Sequence, residues 1–167
     1  MGEDLSFLEL LKLHREFDEL FLYHQEALLS LDIYGASEIL ARYKPELLTH
    51  MKQEEDLLLP LYQARAGRIP GGPVEFFLGE HKKMAAFIDE FQKALIRMRS
   101  ESGSQLKRSI IALLDRESTY KCLLEHHNLR EKNILYPWLD RVTTEAERAT
   151  ILEKCLGRTC CDLGEIY

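Results

Sequence analysis

YKPELLTHMKQEEDLLLP (residues 43–60) and YKCLLEHHNLREKNILYP (residues 120–137) align without a gap at a constant offset of 77. Tyr43 matches Tyr120, Leu47 matches Leu124, His50 matches His127, Glu54 matches Glu131, Leu58 matches Leu135 and Pro60 matches Pro137. Apolar residues recur at three and four in both copies, the period of a helix with one buried face. Residues four apart on a helix lie nearly one above the other. Tyr43, Leu47, His50, Glu54, Leu58 and Leu61 therefore form one stripe, and Tyr120, Leu124, His127, Glu131, Leu135 and Trp138 form its counterpart. Each stripe is apolar except at its tyrosine and its His-x-x-x-Glu pair, so both helices point an imidazole and a carboxylate inward. His126 is rotated by about 100° from His127, and Thr49 stands in its place in the first copy. It is expected to face a neighbour or solvent.

The rest of the chain reads as more helix. A first segment runs from about Leu5 to Leu31 and is broken by DIYGAS; Ser37 is expected to cap the second, which continues to about Ala66. GRIPGGP (residues 67–73) is the strongest break. Pro73 suits the first turn of a third helix reaching about Ser100, and SESGS separates it from a fourth, Gln105 to Leu139. Thr144 and Glu147 form a capping-box pattern that opens a short fifth helix ending near Gly157. Pro137 removes a backbone donor and is expected to bend its helix just past the repeated pair. The predicted fold is all-α, an up-down-up-down four-helix bundle with a short C-terminal helix. One domain is expected over 1–167, with the bundle over about 5–140 and the short helix and tail over 141–167.

Buried carboxylates are costly without a partner. No inward lysine or arginine of the other helices clearly supplies one; histidines stand there instead. His14 lies among Leu10, Phe17 and Phe21, and His81 among Phe77, Met84, Ile88 and Phe91. Four inward histidines and two inward glutamates make metal cations the natural counter-charge. They exceed the needs of one tetrahedral ion and suit two ions with carboxylate bridges. A ferritin-like oxidase needs Glu-x-x-His pairs, and a zinc protease needs His-Glu-x-x-His; the chain has neither.

At these motifs, LHREF at His14, HMKQEEDLLLP at His50, GEHKKM at His81 and HNLREKNILYP at His127, the sequence resembles the hemerythrin-like (HHE cation-binding) family. The resemblance implies a non-haem di-iron centre. One iron would take His14 and His50, the other His81 and His127, with Glu54 and Glu131 bridging them beside an oxo or hydroxo ligand. Zinc or manganese are alternative metals. Oxygen-carrying hemerythrins place a second histidine where Ala85 stands here, and an aspartate five residues after the last histidine where this chain has Glu131 after four. The pattern is closer to the four-His/two-Glu branch that includes repair-of-iron-centres proteins. That resemblance implies sensing, binding or processing of a small oxidant (oxygen, nitric oxide or peroxide) in a stress response or in iron-centre repair. A metal-stabilised structural module and an oxygen-binding hemerythrin proper are the alternatives, and catalysis is left open.

A net charge of −6 and the lack of a basic stripe argue against nucleic acid. No apolar run approaches the roughly 20 residues of a membrane span. Cys122, Cys155, Cys160 and Cys161 make no Cys-x-x-Cys pair. Reduced thiols and a cytoplasmic location are expected. His24 lies about 15 Å along the axis from His14 at ~1.5 Å per residue, too far to share an ion, and is expected to be structural or at a helix end. Asp18 and Glu46 could orient an imidazole or serve as alternate ligands, and Glu80 could relay protons near the site, but charges at the stripe's edge are the expectation for the first two and a solvated charge for Glu80.

Overall fold

The computed structural model describes residues 5–157, which contain no strand. A 3₁₀ turn, Phe7–Leu10, leads into α1 (Leu11–Leu29). Helix α2 (Ile33–Gln53) passes through a π-helical turn (Glu54–Leu58) into α3 (Leu59–Ala66). Helix α4 (Val74–Met98) follows, and α5 (Gly103–Arg130) passes through a second π turn (Glu131–Leu135) into α6 (Tyr136–Val142). The last element is α7 (Glu145–Leu156). α1 packs on α2, α2 on α4 and α4 on α5, and α5 returns to α1 along a looser seam, giving the up-down-up-down bundle.

The helix ends follow local chemistry. The Asp32 side chain, not Ser37, caps α2 by accepting from the Gly35 N–H at 2.9 Å; Ser37 lies a turn inside and donates to the Ile33 carbonyl. Asx side chains favour this position because helix starts leave backbone donors free. Leu31 has φ 60°, and the Leu31 and Asp32 N–H groups reach back to the Leu28 and Ala27 carbonyls. That is a Schellman closure with leucine where glycine is the usual residue. The Thr144–Glu147 capping box forms as the sequence predicts.

The two π turns correct the register of both repeated stripes. Pro60 and Pro137 have no N–H to return to the carbonyl four residues earlier. The Leu59 N–H instead donates to the Glu54 carbonyl, and the Tyr136 N–H to the Glu131 carbonyl, each five residues back. A π turn adds one residue to the helix, which rotates everything beyond it by about 100°. Leu61 and Trp138, expected inside, are only half-buried, and Tyr62 and Leu139 are buried in their place. The proline effect is therefore a widened turn beginning at each repeated glutamate, not a simple bend past it.

Below the repeated histidines, Phe17, Phe21, Phe87 and Phe91 pack around Tyr43 and Tyr120. The two tyrosine hydroxyls hydrogen-bond to each other, so neither is left without a partner in the apolar core. At the other end, Asp140 of α6 accepts from Ser6 Oγ and the Phe7 N–H, at 2.6 and 2.9 Å. These bonds tie the first turn to the end of the bundle.

Candidate metal centre

The structure brings all six singled-out side chains together in the core. Two clusters of ligand-type atoms form: His14, His50, Glu54 and Glu131, and Glu54, His81, His127 and Glu131. Within each, one ligand atom per residue lies within 4.8 Å of all the others. Glu54 and Glu131 belong to both. The carboxylates come from the two π turns and the histidines from α1, α2, α4 and α5, so every bundle helix contributes. His126 is exposed, with Nδ1 donating to the Cys122 carbonyl at 2.8 Å. The repeat thus gives the correct register. His126→Ala is expected to leave metal content unchanged and His127→Ala to lower it; equal losses in elemental analysis would reverse that assignment.

The donor set fits metal ions. His14 Nε2 and His50 Nε2 are 3.0 Å apart, and His81 Nε2 and His127 Nε2 are 3.3 Å apart. Two nitrogens each about 2.1 Å from one ion, at 90° to 109° from each other, stand about 3.0–3.4 Å apart. Buried Glu54 Oε2 and Glu131 Oε1 have no hydrogen-bond donor. His127 Nε2 is 2.8 Å from Glu131 Oε1, but off the line of a hydrogen bond. Buried carboxylate oxygens without donors are rare unless a cation serves them.

Outer partners fix two of the rings. His81 Nδ1 donates to Glu55 at 2.9 Å, and His127 Nδ1 donates to Glu80 at 3.0 Å. With Nδ1–H engaged this way the other nitrogen points inward, where on losing its proton it can present a lone pair to a metal ion, the arrangement usual for metal-bound histidine. Glu80 is itself held by Arg130, whose guanidinium also reaches the Gly71 carbonyl. Glu80 is thus a partner of the site rather than a solvated charge. Asp18 and Glu46, the other two candidates, stay on the exposed side of their helices.

Charge differs between the two ring pairs. Burial pulls His14 and His50 down to about 4, so both are neutral at pH 7. Burial also lowers His127, but the close Glu131 charge, with the Glu80 hydrogen bond and the Glu54 charge, outweighs it and holds the ring up at about 10. The metal-free protein is therefore expected to lose stability as pH falls from about 6.5 to about 4, where the unfolded chain accepts protons that folded His14 and His50 refuse. The His127 contribution runs the other way. It is full below about 6.5 and fades as pH rises through about 10. Thermal unfolding of chelated protein across pH checks both limbs.

Sequence reasoning missed Tyr136. Its hydroxyl donates to Glu54 Oε1 at 2.7 Å and lies 3.4 Å from Glu131 Oε2 and 3.3 Å from His14 Nε2. The repeat could not reveal it, since its counterpart is Leu59. Tyr136→Phe is expected to weaken metal binding by about 10- to 100-fold, the usual effect of losing a ligand's partner; chelator competition measures it. A second missed pair is His24 and Glu117, both fully buried, with His24 Nε2 2.9 Å from Glu117 Oε1 and Nδ1 donating to the Ala36 carbonyl. His24 is thus structural and mid-core, not at a helix end. The signal was in the period: 14, 17, 21, 24 and 28 continue one stripe, and 117, 120, 124 and 127 another.

The sequence model of the hemerythrin HHE cation binding domain matches residues 8–139. The chain belongs to the hemerythrin HHE cation-binding family. The matched span begins in the 3₁₀ turn and ends in α6, so it takes in all six converging side chains. As a hemerythrin-like domain the chain is a metal-binding one, with these histidines and glutamates as its candidate ligands. No curated protein and no solved structure matches the chain. Among the described residues no helix is long and apolar enough to cross a membrane. Cys122 is exposed and Cys155 buried; Cys160 and Cys161 lie outside the described residues.

Proposed function

We propose that this hemerythrin-like domain holds two iron ions and uses them to sense, bind or process a small oxidant such as oxygen, nitric oxide or peroxide. His14 and His50 would hold one ion, His81 and His127 the other, and Glu54 and Glu131 would bridge them. The observation that carries the reading is that both carboxylates belong to both clusters. When bound, iron would supply redox and Lewis-acid chemistry. The chain's own residues do the rest. Glu55 and Glu80 aim two imidazoles, and Tyr136 holds a proton 2.7 Å from Glu54 Oε1. Phe17, Leu47 and Met84 keep the inner side apolar.

Ala85, half-buried and one turn after His81, offers no fifth imidazole. A less saturated ligand set favours reaction or sensing over reversible oxygen storage. Metal analysis with an optical spectrum tests the proposal. Two irons per chain with oxo-bridge charge-transfer bands are expected, and a single zinc would overturn it. A stable, reversible oxygen adduct, formed on mixing reduced protein anaerobically with oxygen, would overturn the preference against storage.

A further inference from the structure

Between α1 and α5 runs an open groove of about 670 Å³, walled by His14, Arg15 and Asp18 on one side and Lys121, Leu124 and Asn128 on the other. Behind it lies an inner cavity of about 10 Å³ against His14, His50 and His127, with Leu47, Met51 and Met84 among its walls. That is the room of about one water-sized molecule. Four residues, His14, Asp18, Leu124 and Asn128, line both spaces, so they form the partition between them. His14 is the most exposed of the six candidate ligands, at 6%.

The repeat shows what is special about this side. Leu124 matches Leu47 and Asn128 matches Met51. On α2 the leucine and methionine are both buried and seal the wall. On α5 the register of Met51 carries a half-buried asparagine that faces the groove. One copy of the duplicated helix is closed and the other carries a polar break on the loosely packed α1–α5 seam.

We propose that small ligands reach the centre through the α1–α5 groove, past a gate made by Leu124 and Asn128. The inner cavity then admits only molecules of about water or diatomic size. The inference rests on the ligand assignment proposed above for the centre it serves. Leu124 is the specificity-determining residue because its side chain separates the two spaces. Asn128 supplies the polar surface that lets a small polar molecule cross.

The test measures nitric oxide association with the iron(II)-loaded protein by anaerobic stopped flow, with metal content checked for each variant. Leu124→Ala is expected to speed association about tenfold and Leu124→Trp to slow it about tenfold, the range over which a steric gate sets an on-rate. Leu95→Ala, an equal truncation in α4 far along the bundle, is expected to leave the rate within about twofold. If it speeds association as much as Leu124→Ala, loosening rather than gating is at work and the proposal fails. Should the leucine variants misfold, a bulky maleimide on the exposed groove thiol Cys122, in a Cys160→Ser/Cys161→Ser background, is expected to slow entry without touching the core. An unchanged rate after labelling overturns the gate. A reading free of iron chemistry comes from the metal-free protein: dissolved oxygen should relax the Leu47 methyl protons less in Leu124→Trp, and equal relaxation counts against the gate. A chain that loads metal yet shows equal rates throughout loses the gate alone; a chain that takes up no metal loses the ligand assignment as well.

Discussion

Glu54→Ala or Glu131→Ala is expected to empty both metal positions, whereas His14→Ala should weaken one more than the other. Each carboxylate faces both histidine pairs, so in the proposed two-ion arrangement its removal would strip a donor from both ions at once. The loss in affinity should exceed the roughly 10- to 100-fold typical of losing an outer partner. Elemental analysis after dialysis, compared across the six single variants, gives the answer. Equal, partial losses in all six would mean that the carboxylates do not bridge. The Glu131 variant has a second signature. Its carboxylate is the main support of the His127 charge. Without it, burial should let that ring lose its proton at lower pH, which an NMR titration of the metal-free protein detects.

Chelation should lower the thermal midpoint by roughly 10 °C for each ion removed. A bound ion at about 1,000 times its dissociation constant contributes about 4 kcal/mol. For a domain of this size each kcal/mol is worth about 2–4 °C. The structural reason is that ligands come from four helices, so an ion joins elements whose apolar contacts already hold the bundle. The metal-free protein should therefore stay helical but melt earlier. A midpoint indifferent to chelator in differential scanning calorimetry would sink the idea that the centre ties the helices together.

How much of this was legible depended on whether a residue was defined by its own helix or by a neighbour. His50, Glu54, His127 and Glu131 were readable because a duplicated segment fixes which face is inward. His14 and His81 were readable from apolar neighbours three and four residues away. Glu55 and Glu80 were not, because each serves a histidine of another helix, and inter-helix rotation is set by packing rather than by any local pattern. Tyr136 was hidden twice, by having no copy and by lying beyond a π turn that moves the inward face one residue along. The prolines signalled a disturbance, but the choice between a kink and a widened turn depends on where the freed carbonyls find donors. His24 and Glu117 were within reach of the period, yet each alone looked like an ordinary polar residue. The family's metal-binding character followed from the same residues, whereas ion identity and substrate do not follow from spacing.

Tyr43 touches Tyr120, and each is the other's counterpart in the repeat. Arg65 likewise donates to the Val142 carbonyl, again across the offset of 77. Contacts between a residue and its own copy are the mark of an isologous interface. The bundle is thus two helical hairpins related by an internal pseudo-two-fold axis, which passes between the tyrosine hydroxyls and between the two carboxylates. Where the halves differ, at Leu59 against Tyr136, Met51 against Asn128 and Glu55 against Lys132, the symmetry is broken beside the centre itself. Two ions held there would occupy inequivalent halves, and should differ in reduction potential and in which one meets an incoming ligand first.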